Sequence, residues 1–570
     1  MIQPKKAILD AQGYEPPLYL DNYLMKLDLN ENIIGPSPRV IEALRDISKE
    51  DLQFYPAYGK LISKIAEYNE ISPEMILPTN GADEAIKYIF DTFIEFGDTV
   101  LTVTPTFSMP QIYAKTSGCN YLEVKYEEKW VFPIDNFLKS INEKTRLIII
   151  TTPNSPTGDT ISKDNLVKII NAAPNSIILI DETYSSFAKE KFTDLACQYN
   201  NVIITRSMSK DFALAGLRLG YIITNKQNID YLKRIISPYS VNTLAAKAAI
   251  AALDDKEHIE LVKQQVLESK NILIDGLKGL SKAVYPSEGN FLLVDFGDKA
   301  DFIYKRLLNS GIKVKYFQNN PEIPSCFRIS IPAPEQTQIL LNILKDRDLL
   351  IFDMDGVLID TTNSYRIAIK ETYKHFSNKD ITPKEIQLAK NQGGLNNDWD
   401  LTEFLLKNSG FNVPKQDIVD KFQELYYGND GNGFILNEDL LTNPEFFRNL
   451  AKKYDLAIFT GRPKLEAEFV LKRWNLEDAF SIVITMDDVP DGFHKPDPYG
   501  INHILKQITP LNTYYFGDTP DDMISARKAG VNGVGILPPQ DKSEGLRNKL
   551  LSEGAMVILN NVEDLIGTVK

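Results

Sequence analysis

Two aspartates one residue apart, Asp353 and Asp355, end the apolar run LLIFDMDGVLID. A short apolar run that stops at a polar, glycine-containing turn reads as a buried strand presenting side chains from a loop. Paired carboxylates in such a place can hold a hard divalent cation, or one can attack an electrophile while the other moves a proton. Downstream come FTGRP with Thr460 and Gly461, HKPDP with Lys495, and FGDTPDD with Asp518 and Asp522. A hydroxyl and an ammonium can neutralise phosphoryl oxygens, and further carboxylates can complete a magnesium shell. His494 sits beside Lys495 and reads as a neighbour rather than a participant.

A second reactive set lies closer to the N-terminus. TRSMSKDFALAGLRLGY places Lys210 just past a strand, with Ser207, Ser209 and Arg218 around it. A lysine becomes an imine-forming nucleophile when a desolvated pocket and a neighbouring cation strip its proton. Two hydroxyls and a guanidinium supply donors for a phosphate. IILIDETYSSF ends a buried strand in Asp181 with Tyr184 shortly after, and TTPNSPTG ends another in Asn154. TNGADEAI puts Gly81, Ala82 and Asp83 at a strand-to-helix turn whose free N–H groups suit an anion. A carboxylate facing a pyridine nitrogen keeps that ring protonated, so these are the parts that pyridoxal phosphate needs.

Both sets require strands that end in loops. Between about residues 51 and 224, DTVLTV, RLIIITT, SIILIDE, NVIITRS and LGYIIT alternate with amphipathic helical stretches, which predicts a mainly parallel sheet covered by helices. A smaller α+β unit follows, with strands in NFLLVDFGD, GIKVKYF and CFRISI. The pattern restarts with LLIFDMDG, DLAIFTGRP and TYYFGDTPDD, while residues 361 to about 445 carry helical periodicity and no comparable strand.

A chain of 570 residues exceeds one core, and about three or four structural domains are expected. A hydrophobic fraction of 43% with a net charge of −14 favours small-molecule chemistry over nucleic acid or an anionic membrane. Cys119, Cys197 and Cys326 show no metal spacing and no disulfide framework, pointing to a reducing compartment. The N-terminal stretch lacks the apolar core of a signal peptide, and no run approaches the roughly 20 residues that span a bilayer. The expectation is a cytoplasmic enzyme.

The segments LDLNENIIGPSP, FYPAYG, NGADEAI, TPTFSMP, TTPNSPTG, IDETYSSF, SMSKDFALAGLRLGY and CFRISI resemble, in order and spacing, the fold-type I aminotransferases. The likeness is greatest to the histidinol-phosphate aminotransferase family and covers residues 1–345. It implies a large domain over about 46–250 and a small one from about 1–45 and 251–345. By that resemblance Lys210 carries the cofactor and then moves a proton, Asp181 pairs with the pyridine nitrogen, Asn154 and Tyr184 contact the ring oxygen, and Phe107 stacks on the ring. Ala82, Asp83, Ser207, Ser209 and Arg218 fall where the family holds the cofactor phosphate. Tyr55 matches a tyrosine that reaches the phosphate from a partner subunit, which implies a homodimer through this half. Arg328, with Asn32, falls among the substrate-binding positions, and Lys315 stands where many members carry a second arginine.

The later motifs resemble the haloacid dehalogenase superfamily, in its phosphoglycolate-phosphatase-like branch. The likeness spans residues 346–570 and implies a Rossmann-like core over about 346–360 and 446–570, with a helical cap at about 361–445. Carried over, Asp353 is the nucleophile and Asp355 the acid that then activates water. Thr460, Gly461 and Lys495 hold the phosphoryl group, and Asp353, Asp355 through its carbonyl, Asp518 and Asp522 bind Mg²⁺. The cap stretch with Gly393, Gly394, Asn396, Asn397, Asp398 and Trp399 reads equally as a substrate-reading loop or a helix connection.

Joined, the halves suggest transamination between histidinol phosphate and imidazole acetol phosphate with 2-oxoglutarate or glutamate, then hydrolysis of the phosphate monoester, in histidine synthesis. An aminotransferase for another amino acid or amino-alcohol phosphate with an unrelated phosphatase, or a second half that only regulates, are the alternatives.

Overall fold

The computed structural model describes residues 6–9, 23–390, 397–508 and 510–567. Contacts divide the chain into two units, residues 1–300 with 311–343, and residues 301–310 with 344–570. The short stretch 301–310 belongs with the second unit because the buried Arg306 guanidinium is spent there. It makes two bonds to the Asp455 carboxylate, at 2.9 and 2.5 Å, and bonds to the carbonyls of Leu344 and Lys345.

The first unit holds a seven-stranded sheet in the order Ile76–Thr79, Gly220–Ile223, Val202–Ser207, Ile177–Asp181, Thr145–Thr151, Thr99–Thr104, Asn120–Lys125. Only Gly220–Ile223 runs against its neighbours. The interior strands are buried on both faces, which is why Thr145–Thr151 and Ile177–Asp181 read as unbroken apolar runs. Register places Thr151, Asp181 and Thr205 side by side, so the reactive residues gather at one edge, beyond the carboxyl ends of the parallel strands. A separate five-stranded sheet pairs Met25–Leu27 with Ile312–Tyr316 and carries Cys326–Ser330 at its centre.

The second unit has a six-stranded parallel sheet in the order Ile482–Ile484, Asp455–Phe459, Leu349–Phe352, Thr513–Gly517, Asn532–Ile536, Ala555–Leu559. The central strand is Leu349–Phe352, so Asp353 emerges in the middle of the carboxyl edge. Helices Tyr365–Ser377, Pro383–Lys390, Asp398–Asn408 and Lys415–Tyr426 fill the interval before the next core strand. A ribbon of Ile359–Asp360 with Asp439–Leu440 closes the base of that insertion. No helix among the described residues is long and apolar enough to cross a membrane.

Candidate active sites

In the first unit the half-buried Lys210 donates from its amine to the Leu29 carbonyl at 2.7 Å. Burial, and then the charge of Arg328, bring its pKa down to about 8. Asp181 ends its strand inside the core, and burial pushes its carboxyl up to about 6. Thr183 donates from its N–H and hydroxyl, and Thr205 from its hydroxyl, all to Oδ1. That concentration leaves Oδ2 to face a cationic partner. Asn154 is fixed by Thr106, which donates to its Oδ1 at 2.6 Å, while its amide donates to the Pro105 carbonyl and to Thr157. The Tyr184 hydroxyl, also buried, accepts from Asn30 at 2.9 Å.

Helix Ala82–Phe93 begins without a side chain on its first N–H groups, because its N-cap is Gly81 at φ +86°. Elsewhere Ser162 and Asn242 fill that role from their own side chains. A Cβ on Gly81 would meet Arg218 Nη2 at 2.8 Å, so the glycine is what lets the guanidinium approach the open helix end. Arg218 also bonds Asp83 at 3.1 Å, while Ser207, across from Gly220 in the strand register, and Ser209 are buried and joined by a bond from the Ser209 N–H to the Ser207 hydroxyl. An open helix N-terminus with a guanidinium and two hydroxyls fits a phosphate, and a buried carboxylate with a deprotonatable amine fits the ring of pyridoxal phosphate. A cavity of about 440 Å³ opens beside Ser209 and Asn32.

Arg328 donates to the Ser155 hydroxyl at 2.8 Å and the Asp28 carbonyl at 2.5 Å, and Lys315 lies directly across from it in the strand register. Phe107 is half-buried at the rim of a core cluster. Tyr55 is 77% exposed, stacks on Tyr239 at 4.3 Å, and lines a different cleft with Phe54 and Lys247.

In the second unit Asp353, Asp518 and Asp522 offer carboxylate oxygens all within 4.8 Å of one another. Three hard oxygen donors so placed fit Mg²⁺. Gly356, at φ +73°, permits this: a Cβ there would strike Asp518 Oδ2 at 2.2 Å. Asp522 is pinned by a capping box, in which Thr519 donates from its N–H and hydroxyl to Oδ2, and the Tyr515 hydroxyl donates to Oδ1. Lys495 stands 2.8 Å from both Asp353 and Asp522. Burial, with Asp522 and Asp355 adding and Lys495 opposing, lifts Asp353 to about 7. Burial works against the Lys495 charge, but Asp353 and Asp522 hold it above its ordinary value. The buried Thr460 hydroxyl accepts from the Arg462 N–H, Gly461 lines the cavity, and His494 is exposed.

The Asp355 side chain lies outside this three-carboxylate group and accepts from Arg462. Arg462, in the FTGRP motif, is fully buried, a role its local sequence does not signal. Its Nε and Nη2 reach Asp355 at 2.7 and 2.5 Å, it makes two bonds to Glu438 and one to the Tyr426 hydroxyl, and it lies over the Tyr365 ring at 5.1 Å. Removing one member of such a buried network strands the rest, so Arg462→Ala is expected to destabilise this unit by about 3–5 kcal/mol. It should also slow phosphate release, since Asp355 loses its anchor. Chemical denaturation followed by hydrogen exchange in the strand Asp455–Phe459 checks the first effect, and Arg462→Lys, lacking the fork, should recover only part of it.

A cavity of about 320 Å³ opens over Asp353 and Asp355 and is walled by Tyr365, Arg366, Trp399 and Glu466. Asn397, Asp398 and Trp399 of the polar cap stretch line it, while Gly393, Gly394 and Asn396 lie outside the described residues. Burial pushes the Glu466 carboxyl up to about 7.

The chain belongs to the aminotransferase class I and II family, whose model matches residues 22–344. Residues 350–536 match the haloacid dehalogenase-like hydrolase model, so an aminotransferase domain is followed by a hydrolase domain. A histidinol-phosphate aminotransferase of Thermoanaerobacter sp. (strain X514) is 34% identical over 328 residues, 57% of this chain and 93% of the relative. One from Methanocaldococcus jannaschii is 34% identical over 351 residues, 60% of this chain and 92% of its own length. The crystal structure of the histidinol-phosphate aminotransferase from Clostridium acetobutylicum is 25% identical with a TM-score of 0.53, covering 56% of this chain and 98% of that one.

Proposed function

We propose that the chain is a bifunctional enzyme that interconverts imidazole acetol phosphate and histidinol phosphate with glutamate as amino donor, then releases the phosphate of histidinol phosphate. The carrying observation is the pairing, on one chain, of the Lys210–Asp181–Arg218 site with the Asp353–Lys495–Asp522 site. The relatives named as histidinol-phosphate aminotransferases support the substrate of the first half. The product of that half is a phosphate monoester, which is the substrate class the second site suits.

Bound pyridoxal phosphate supplies an electron sink for the substrate carbon. Asp181 holds the ring nitrogen protonated, Asn154 and Tyr184 orient the ring oxygen, and Phe107 covers its face. Ala82, Asp83, Ser207, Ser209 and Arg218 hold the phosphate, and Lys210 moves the proton. Arg328, with Lys315 across from it in the strand register, takes the substrate anion, and Asn32 contributes to substrate binding. Tyr55 completes the site of a second copy, and Leu52, Phe54 and Tyr55, each more than half exposed, support a homodimer through this half.

In the second site Asp353 attacks phosphorus, Asp355 protonates the departing alkoxide, and Asp355 then takes the proton of the attacking water. Thr460, Gly461 and Lys495 neutralise the phosphoryl oxygens. Mg²⁺ held by Asp353, Asp518, Asp522 and the Asp355 carbonyl would supply additional charge stabilisation. Three separate free thiols agree with a cytoplasmic enzyme. The converged carboxylates and Lys495 favour turnover over a purely regulatory half. Lys315, lacking the arginine fork, leaves another amino-alcohol phosphate as the second reading.

Supplying imidazole acetol phosphate, glutamate and Mg²⁺ should yield 2-oxoglutarate, histidinol and free phosphate, and a chelator should halt the sequence at histidinol phosphate. An active enzyme that turns over neither metabolite refutes the assignment. A pH test bears on Lys210. Below about pH 8 the ammonium is protonated and unreactive, and above it the free amine dominates, so cofactor uptake by the cofactor-free protein should rise through about pH 8. Stopped-flow absorbance reads this. Arg328→Gln, which removes a cation that disfavours the ammonium, should move the midpoint upward.

A further inference from the structure

We propose that Glu466 is the specificity-determining residue of the hydrolase cavity and binds a cationic nitrogen on the leaving group of the phosphate monoester. The inference rests on reading this unit as a phosphomonoester hydrolase, and it names the substrate class of that site.

Glu466 lies in the first turn of helix Lys464–Arg473, just past the Thr460 loop, and is only 2% exposed although it lines the cavity. Its Oε2 accepts from the Tyr365 hydroxyl at 2.5 Å and its Oε1 from Gln423 at 2.8 Å. Both donors are neutral, and both come from the inserted helices Tyr365–Ser377 and Lys415–Tyr426. Burial lifts this carboxyl to about 7, so a cation beside it would favour the ionised form. No lysine, arginine or histidine among the described residues makes an ion pair with it. The neighbouring Arg462 bonds Asp355 and Glu438. Arg366 bonds Gln387 and faces the charges of Asp398 and Asp518, and Lys549 answers Asp521.

The Arg462 charge also acts on Glu466 but is spent directly on Asp355 and Glu438, so neutral donors make the direct bonds to this buried carboxyl, and a cation entering the cavity would lower the cost of ionising it. The location decides which part of a substrate supplies it. Phosphorus must sit over Asp353 beside Thr460 and Lys495, and the ester oxygen departs toward Asp355, whose charge reaches Glu466. Glu466 therefore meets the leaving group at the boundary between sheet edge and inserted helices. Ile369, Met486 and Trp399 add apolar wall, so the matching class is a small alcohol phosphate with an ammonium near the ester oxygen. A carboxylated leaving group, as in phosphoglycolate, meets a buried anion there and is disfavoured.

The test uses the full-length protein with Mg²⁺ and isosteric pairs: L-histidinol phosphate against 3-(imidazol-4-yl)propyl phosphate, and phosphoethanolamine against propyl phosphate. Within each pair kcat/KM should favour the ammonium compound by about 10- to 100-fold, the size expected for a hydrogen bond between charged groups. Glu466→Gln should bring that ratio close to one, and Glu466→Asp should reduce it by less. A wild-type ratio near one in both pairs overturns the proposal whether or not any variant folds, and so does a ratio that survives in Glu466→Gln. Preference for phosphoethanolamine with no turnover of histidinol phosphate would sink the pathway reading and leave this inference standing. Equal turnover of histidinol phosphate and its desamino analogue, with no preference for phosphoethanolamine, would do the reverse.

Discussion

Lys210→Ala loses transamination by about 10³-fold or more, while phosphate is still released from added histidinol phosphate. The size follows from two duties resting on one atom. The amine must bind covalently to the cofactor, and later it must carry a proton between carbons, and the residues placed around it cannot substitute. Arg218 and Arg328 offer no amine, and the Tyr184 hydroxyl is held above its ordinary pKa by burial. Lys210→Arg should fail equally, because the guanidinium has no accessible neutral form. The measurement is 2-oxoglutarate production from glutamate alongside phosphate release in the same sample. Substantial transamination by Lys210→Ala would move the reactive amine elsewhere, to Lys315 first.

The strands that carry chemistry were legible because burial on both faces demands unbroken apolar runs, as in Ile177–Asp181 and Leu349–Phe352. Several other strands were not. Asn120–Lys125 is largely exposed, Ile76–Thr79 contains Pro78, and Asn532–Ile536 is NGVGI, so none offers a run of that kind. The insertion was legible as helical from its period, and four described helices occupy it. The stretch 301–310 shows the limit: nothing local marks it as part of the second unit, because what assigns it is Arg306 meeting Asp455, 149 positions away.

The same distinction governs the sites. Asp353, Lys495 and Asp522 sit in short motifs whose spacing reflects one strand-to-loop exit each, and they meet as those motifs implied. Arg462 stood inside a quoted motif but was not singled out, since its meaning comes from Asp355, 107 positions away, and from Glu438. Glu466 has even less local signal, because an acidic residue in the first turn of a helix is ordinarily a surface group favoured by the helix dipole. Only the Tyr365 and Gln423 side chains folding over it make it a buried charge. Residues whose role is to be surrounded are invisible until the surroundings are known.

Asp353→Asn is expected to lower phosphate release by about 10⁴-fold or more with transamination intact. An amide oxygen is a poor nucleophile toward phosphorus, and the amide also withdraws one negative charge from the three-carboxylate group. The two losses can be separated. Lys495 lies 2.8 Å from Asp353 and from Asp522, so Asp353→Asn leaves it one anionic partner and preserves most of the local packing. Asp518→Asn, which weakens the metal shell without touching the nucleophile, should be partly rescued by raising Mg²⁺, whereas Asp353→Asn should not respond at any concentration. Acid-quenched protein incubated with phosphate-labelled substrate should carry label in the wild type and none in Asp353→Asn. Label that persists in the variant would assign the attack to another carboxylate lining the cavity, Asp355, Asp518 or Asp522.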